Sequence, residues 1–533
     1  MKIQFLGGAR TVTGSCHLIE TDNGNLLVDC GMHQGKDQND WDPLAPFGFN
    51  PSEIKCVVLT HSHIDHSGLL PLLVKSGFSG KIYSTVPTAD LCGIMLPDSG
   101  HIQEMDAEQR NRKRQRAGKS IIEPMYTAQD AINCMKSFSP AEYDVVTEVL
   151  PGVRVRFVEA GHLLGSSAAE LWVEDMEKTV KIVFSGDVGT YNRPIIKDPA
   201  VITEADYVVM ESTYGDRLHD NREDAKKQFK EVVRSALQKG GNLVIPSFAV
   251  GRTQELLYDL NLLIVSDEAP GLEKVPIYVD SPLAMHATEI FRKNYYKYYD
   301  KEAMALVEKG EDPLNMPNLR FSETADESRA INEAEGTNII ISSSGMCEAG
   351  RIRHHLKHNL WREDATVLFV GYQAENTLGR LLVDGAKSVK IFGEEIFVRA
   401  RIANIPGYSG HADRDGLVAW VRAFSPPPRK VFVVHGESAV CDAFAKTLNQ
   451  ELGINAIVPD QGMRFDVAME AWDEARIPPQ PFGSTLLQME SALRKLIEDG
   501  QRAVQDGGER AAKALMMQKE LEDFVGRWSG KIA

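Results

Sequence analysis

Three of the chain's 14 histidines fall in one turn, "LTHSHIDHSGLLP" at positions 59–71. His61, His63, Asp65 and His66 crowd into six residues, after the apolar run "CVVLT" and before the helix-like "GLLPLLVKSG". Imidazole and carboxylate are zinc ligands, and a catalytic zinc keeps a position open for water. His61 and His63, two apart, can face one centre from an extended loop. Asp65 and His66, at a helix start, can face a second. One tetrahedral ion cannot comfortably take four ligands from six consecutive residues, so the spacing hints at two metals. A polar capping loop rich in imidazole is the alternative. Further candidates stand in glycine-flanked turns at strand ends: His162 in "EAGHLLGS", Asp187 in "FSGDVG" and His435 in "VFVVHGE". Each alone is an ordinary loop residue; together they favour a metal site.

The elements that must position these residues follow two rhythms. Over the first 210 residues short β-rich runs alternate with turns, among them "NLLVDCG", "CVVLTHS", "VKIVFSGD" and "YVVMES". Several end in a candidate ligand or acid: Asp29, His61, His162, Asp187 and Glu211. Polar residues on loops at the ends of a rigid sheet are where sites are built. From about 212 the pattern becomes an apolar strand, a Gly/Ser/Pro turn and a helix, as in "NLVIPSFAVGRTQELLYDL", which implies βα units and a parallel sheet. Short strands return near 396. The last 70 residues, from "GMRFDVAME" on, carry helical periodicity without ligand-like clusters.

Composition sets bounds. A 533-residue chain, 43% hydrophobic and 25% charged, suits two or three soluble domains. No apolar stretch is long enough to span a bilayer, and the N-terminus lacks a signal peptide's core, which points to the cytoplasm. Seven cysteines without a CxxC suggest reduced thiols. The net charge of −16 argues against a protein that simply coats nucleic acid. One basic run, "RNRKRQRAGK" at 110–119, is either a solvated helix face or a phosphate-tracking strip.

"THSHIDHSG" resembles the HxHxDH signature of the metallo-β-lactamase superfamily, and the order Asp29, His61 to His66, His162, Asp187 is similar to that superfamily's motif succession. The chain also resembles the β-CASP branch, which processes nucleic acids, in Glu211 of "ESTYGDR", His411 of "PGYSGHAD", His435 of "VVHGE" and the turn "SSSGMCEAGR" at 342–351. The resemblance runs from residue 1 to about 465. It implies an α/β fold: a four-layer αββα metallo-β-lactamase domain with an inserted, mostly parallel α/β β-CASP domain. The expected boundaries are 1–208 and 396–465 for the first domain, 209–395 for the insertion and 466–533 for a helical C-terminal extension.

The same resemblance assigns His61, His63 and His162 to one Zn2+ ion and Asp65, His66 and His435 to another, with Asp187 bridging. Asp29 and Glu211 are then expected to orient histidine ligands through their free N–H groups. Histidine at position 435 is what the resemblance associates with RNA substrates. The expected function is a zinc-dependent ribonuclease, endo- or 5′-to-3′ exonucleolytic, in which an activated water attacks the phosphodiester in a cleft between two domains. It would leave 5′-phosphate and 3′-hydroxyl ends. His411 is expected to stabilise or protonate the leaving oxygen, with Asp65, Asp187 and Glu211 completing the catalytic set. Ser409, Ser344, Asn376 and Thr377 are candidate phosphate or RNA contacts through turn-to-helix junctions; "ENTLGR" reads equally as an ordinary N-cap. A hydrolase of DNA or of a small ester or thioester is the alternative, and an inactive RNA-binding scaffold a third. An insertion of roughly 180 residues is far longer than an ordinary loop and argues against a small substrate. The expected partner is RNA, with no membrane, and the tail either mediates a homodimer or packs on the core.

Overall fold

In a computed structural model of the chain, residues 1–34, 47–175 and 178–473 are described. All of them but Asp473 belong to one compact unit. The extension expected over 466–533 therefore lies almost wholly outside the described residues.

Two mixed sheets, of eight and seven strands, pack face to face. Ile3, Phe5, Val28 and Val58 of the first meet Phe157, Leu171, Phe184 and Phe432 of the second in one buried cluster. Each sheet has a helical layer outside. Leu70, Leu73, Cys92 and Leu96 cover the eight-stranded sheet; Leu417, Val421, Phe444 and Leu448 cover the seven-stranded one. This is the expected αββα order, and it arises because period-two apolar strands must bury one face on each other and the other under amphipathic helices.

A third sheet is the expected parallel one. Its six strands, all paired in parallel, include Leu243–Pro246, Ile339–Ser342 and Thr366–Val370. Leu243 and Ile245 face one helical layer while Val244 faces the other, so both faces are buried and the strands read as continuous apolar runs. The strand Arg401–Ile405 also joins this sheet, pairing with Thr366–Val370, although its sequence position suggested the returning domain. A short β-run carries no information about which sheet it will enter. Likewise Arg464–Asp466 and Ala471–Trp472, read as the start of a helical tail, form antiparallel edge strands of the eight-stranded sheet. Phe465 is fully buried there; three residues are too few for periodicity to reveal it.

Among the described residues no helix is long and apolar enough to cross a membrane. The basic run begins on the last turns of the helix Val86–Arg116 and passes three residues beyond its end. That helix begins where Thr85 and Thr88 hydroxyls donate to the Gly165 carbonyl, in the turn that carries His162. At about 1.5 Å per residue, Arg110 lies some 35 Å along the helix from that start.

Candidate metal centre and active site

The "HSHIDH" turn leaves the strand Ile54–Val58 and enters a one-turn helix, Ile64–Ser67. The loop at 29–32 grips it: Cys30 N–H donates to the His66 carbonyl, and Met32 N–H to that of Ile64. Gly31 is required at this crossing, since a Cβ there would stand 1.7 Å from the Asp65 carbonyl oxygen. Asp29, in a left-handed conformation with φ +60°, uses both carboxylate oxygens. Oδ1 accepts from Thr60 N–H at 2.8 Å, and Oδ2 accepts from the Thr60 hydroxyl at 2.9 Å and from His66 Nδ1 at 2.8 Å.

The seven candidate ligands converge as two groups. His61, His63, His162 and Asp187 form one, and Asp65, His66 and His435 the other; within each group the donor atoms lie within 4.8 Å of one another. In the first, His63 Nδ1 stands 3.1 Å from His61 Nε2 and 3.2 Å from His162 Nε2. In the second, His66 Nε2 is 3.2 Å from His435 Nε2, and His435 Nε2 is 3.5 Å from Asp65 Oδ2. Asp187 stands between them. Its Oδ2 is 3.4 Å from His61 Nε2 and 3.6 Å from His162 Nε2, while Oδ1 is 3.2 Å from His66 Nε2.

Hydrogen bonding tests whether cations fit here. The Gly410 carbonyl can only accept, so His162 Nδ1, 3.1 Å away, carries the proton and Nε2 offers a lone pair. The Thr60 hydroxyl already donates to Asp29, so it accepts from His61 Nδ1 at 3.1 Å, and His61 Nε2 is likewise a bare lone pair. His66 Nδ1 faces the Asp29 carboxylate, with the same consequence for its Nε2 when neutral. His61 Nε2 and His162 Nε2 thus both present lone pairs toward His63 Nδ1, more acceptors than one imidazole proton can meet and an arrangement that a cation would satisfy. Asp187 Oδ1 is buried with only imidazole nitrogens near it, His66 Nε2 at 3.2 Å and His435 Nδ1 at 3.6 Å, a position costly for a carboxylate unless something positive meets it. The donor set, imidazole and carboxylate, suits zinc.

Electrostatics agree. Burial and the neighbouring His61 push His63 down to about 3, and burial with His411 drives His162 well below its ordinary value. Both stay neutral, as metal ligands must. Burial would also lower His66, but the Asp187 and Asp29 carboxylates outweigh it and raise it. The negative charge gathered here thus demands a proton or a cation.

His411 sits at the edge of the pair. Its Nδ1 is 3.2 Å from each Glu211 carboxylate oxygen and 3.9 Å from Asp187 Oδ2. Its ring centroid is 4.4 Å from that of His162. Burial lowers its pKa, but Glu211 and Asp187 outweigh burial and lift it to about 9. Glu211 also accepts from Val188 N–H at 2.6 Å and Thr213 N–H at 3.2 Å. Of the two acids expected to orient candidate ligands, Asp29 touches one; Glu211 touches His411 instead. Sequence order places Glu211 at a strand end near the centre but cannot say which imidazole it meets.

The candidate phosphate contacts are elsewhere engaged. The Ser409 hydroxyl accepts from His411 N–H and contacts the His411 carbonyl, both at 3.2 Å. Ser344 Oγ closes its own turn onto Ala349. Thr377 caps the helix Leu378–Val383, accepting from Arg380 N–H. Leu378 N–H donates to Glu348 Oε1 and Gly379 N–H to the Met346 carbonyl. The first N–H groups of that helix are therefore bonded within the chain; Asn376 precedes it with φ +66°. Three contributors escaped the sequence reading. Thr60 links Asp29 to His61; Thr213 Oγ1 contacts His435 Nδ1 at 3.0 Å; Arg193 donates to the His162 carbonyl. Thr60 and Thr213 directly neighbour the motifs, a signal available in the sequence, whereas Arg193 has none.

Comparison with known proteins gives three domain matches: the metallo-beta-lactamase superfamily over residues 9–247, the Beta-Casp domain over 253–382, and the Zn-dependent metallo-hydrolase RNA specificity domain over 395–459. Ribonuclease TTHA0252 of Thermus thermophilus is 36% identical over 448 residues, covering 84% of this chain and 96% of the relative. An RNase J-like protein of Methanocaldococcus jannaschii is 31% identical over 464 residues, 86% of this chain and 98% of the relative. Transcription termination factor FttA of the same organism is 31% identical over 469 residues, 86% of this chain and 70% of the relative. With the αββα sandwich, the parallel third sheet and these matches together, the chain belongs to the β-CASP branch of the metallo-β-lactamase superfamily and is a metallo-hydrolase of the nuclease type.

Proposed function

We propose that the protein is a zinc-dependent ribonuclease that hydrolyses RNA phosphodiester bonds and leaves 5′-phosphate and 3′-hydroxyl ends. The observation that carries this is the Asp187 carboxylate, shared between two converging donor groups, with the His411–Glu211 pair at its edge. His61, His63 and His162 would hold one ion and Asp65, His66 and His435 the other, with Asp187 reaching both. Two zinc ions bound there supply Lewis acidity toward a phosphoryl oxygen and lower the pKa of a water.

The chain's own residues do the rest. Glu211 holds the His411 Nδ1 proton, which keeps the imidazole cationic and leaves its other nitrogen to donate to the departing oxygen. Val188 and Thr213 N–H groups fix Glu211 in turn. Asp29 orients His66, and the Gly410 carbonyl orients His162. The relatives named as ribonucleases, and histidine at position 435, support RNA over DNA. We place the enzyme in the cytoplasm, with its substrate.

His411→Ala should abolish cleavage of single-stranded RNA while zinc content stays at the wild-type level; loss of zinc would make His411 a ligand and end its role as proton donor. Chelation should remove cleavage and added zinc restore it. Activity that survives thorough chelation, or cleavage of a matched DNA strand in preference to RNA, would overturn the proposed function.

A further inference from the structure

The helix Arg252–Val265, which opens in "GRTQELL" and packs on the six-stranded sheet, carries two charged side chains that the fold buries, Arg252 and Glu255. Arg193, from the turn that follows Asp187, is buried against them, and Arg222 joins from the start of the helix Arg222–Lys239. Glu255 Oε1 accepts from Arg222 Nη2; Oε2 accepts from Arg252 Nη1 and stands 3.6 Å from Arg193 Nη2. A buried carboxylate among guanidinium groups is weak evidence for stability, since apolar residues of the same volume often hold as well. What sets this cluster apart is where its other N–H groups go. Arg193 Nη1 donates to the His162 carbonyl, and Arg252 Nη2 to the Tyr408 carbonyl.

Both carbonyls belong to segments that build the site. His162 is a candidate ligand, and Tyr408 stands three residues before His411. The two segments also meet each other. The Gly410 carbonyl accepts from His162 Nδ1 at 3.1 Å, and the His162 and His411 ring centroids are 4.4 Å apart. A Cβ at Gly410 would stand 3.3 Å from both Arg193 Nη1 and His162 Cε1, so guanidinium, imidazole and turn form one packed contact. Gly251, with φ +82°, brings the helix start equally close: a Cβ there would stand 2.9 Å from Leu163 Cδ1. The Arg252 guanidinium lies 5.4 Å from the centroid of the Tyr408 ring. Through two arginines, Glu255 thus holds both segments that frame His411.

We infer that Arg193, held by Glu255, is a positioning residue for departure of the 3′ oxygen: it fixes the contact between His162 and the Gly410 turn and so aims the His411 imidazole at that atom. The inference rests on the ribonuclease reading above. In that reaction a water oxygen bonds to phosphorus, and the bond from phosphorus to the 3′ oxygen breaks with its electron pair on that oxygen. The oxygen then takes a proton from His411 and becomes the 3′-hydroxyl. Arg193 and Glu255 are buried and act on turnover rather than on substrate binding. A displacement of about 1 Å, caused away from the chemistry, costs on the order of a hundredfold in rate.

The test uses the full-length, zinc-loaded protein and two short RNAs that differ in one atom, sulfur replacing the bridging 3′ oxygen at the scissile bond. A thiolate leaves without taking a proton, so the sulfur linkage bypasses the donor. Arg193→Met should lower kcat on the oxygen linkage about a hundredfold with KM unchanged. It should cleave the sulfur linkage near the wild-type rate, the pattern also expected of His411→Ala. Arg193→Lys keeps a cation beside Glu255 but not the fork that reaches carboxylate and carbonyl together. Its sulfur-to-oxygen rate ratio should fall between those of the wild type and Arg193→Met, and it carries the test should the methionine variant not fold. Zinc content, measured by atomic absorption, should match the wild type throughout. Equal losses on both linkages, a loss of zinc, or sulfur that fails to rescue His411→Ala overturns the positioning role and leaves RNA cleavage itself standing. A wild-type protein that cleaves neither RNA overturns both.

Discussion

Asp29 shows how much one side chain can decide. It adopts a left-handed backbone, φ +60°, that few residues other than glycine, asparagine and aspartate tolerate. From there its carboxylate reaches Thr60 and His66 together. Asp29→Asn keeps the backbone conformation and removes the charge, so it isolates the contact to His66. Loss of such an orienting acid typically costs ten- to hundredfold in metal affinity, and a competitive zinc titration should show a fall of about that size. Unchanged affinity would take Asp29 out of the site. Its position at a strand end was legible from "NLLVDCG"; its left-handed turn and its choice of His66 were not, because both depend on where the distant "HSHIDH" helix lands.

At the scale of elements, the helix Arg252–Val265 anchors the turn that carries His411. Its periodicity, "RTQELLYDLNLLIV", is plain in the sequence, but the burial of its charges is not. Glu255 is buried among Arg193, Arg222 and Arg252, which outweigh burial and hold its carboxyl at about 2. One turn on, Asp259 accepts from the Tyr408 hydroxyl at 2.7 Å, three residues before His411. Burial and the nearby Glu255 push Asp259 up to about 6, against the Tyr408 hydrogen bond and the cations nearby. A raised carboxyl pKa favours the folded state while the group is protonated. Its contribution is fully present below the ordinary aspartate value and is lost as pH rises through about 6. The loss amounts to about 3 kcal/mol for a shift of this size. Asp259→Asn, which keeps an acceptor for Tyr408, should therefore flatten the decline in unfolding free energy over that pH range. Denaturant titrations of both proteins at several pH values check this, and parallel pH profiles would count against it.

Over the whole molecule, the centre joins parts of the chain that fold in different layers. His66 and His435 are 369 positions apart yet meet at 3.2 Å, one from the eight-stranded sheet's helical layer and one from the end of a strand in the seven-stranded sheet. Ions bound between them can bind only the folded chain. Zinc added to metal-stripped protein should therefore raise the thermal midpoint, by about 2.7 kcal/mol of stability at a hundredfold excess over Kd. His435→Ala should keep only part of that rise. A midpoint indifferent to zinc in the wild type would mean that the converging donors do not hold it.

The sequence by itself determined the chemistry and the class of fold. Ligand types are dictated by what a cation accepts, strand and helix patterns by local period, and both are written in a few neighbouring residues. The gathering of metal-ligand residue types in "HSHIDH" is of this kind, and so is the parallel third sheet, whereas the αββα order came from the resemblance of the whole motif succession to a known family. Tertiary structure alone decided the pairings between segments. It set Glu211 against His411, drew Arg401–Ile405 into the third sheet, and spent the first N–H groups of the helix at Leu378 on Glu348 and Met346. Each of these is a contact between residues far apart in sequence, chosen by how layers pack, and no local pattern records it.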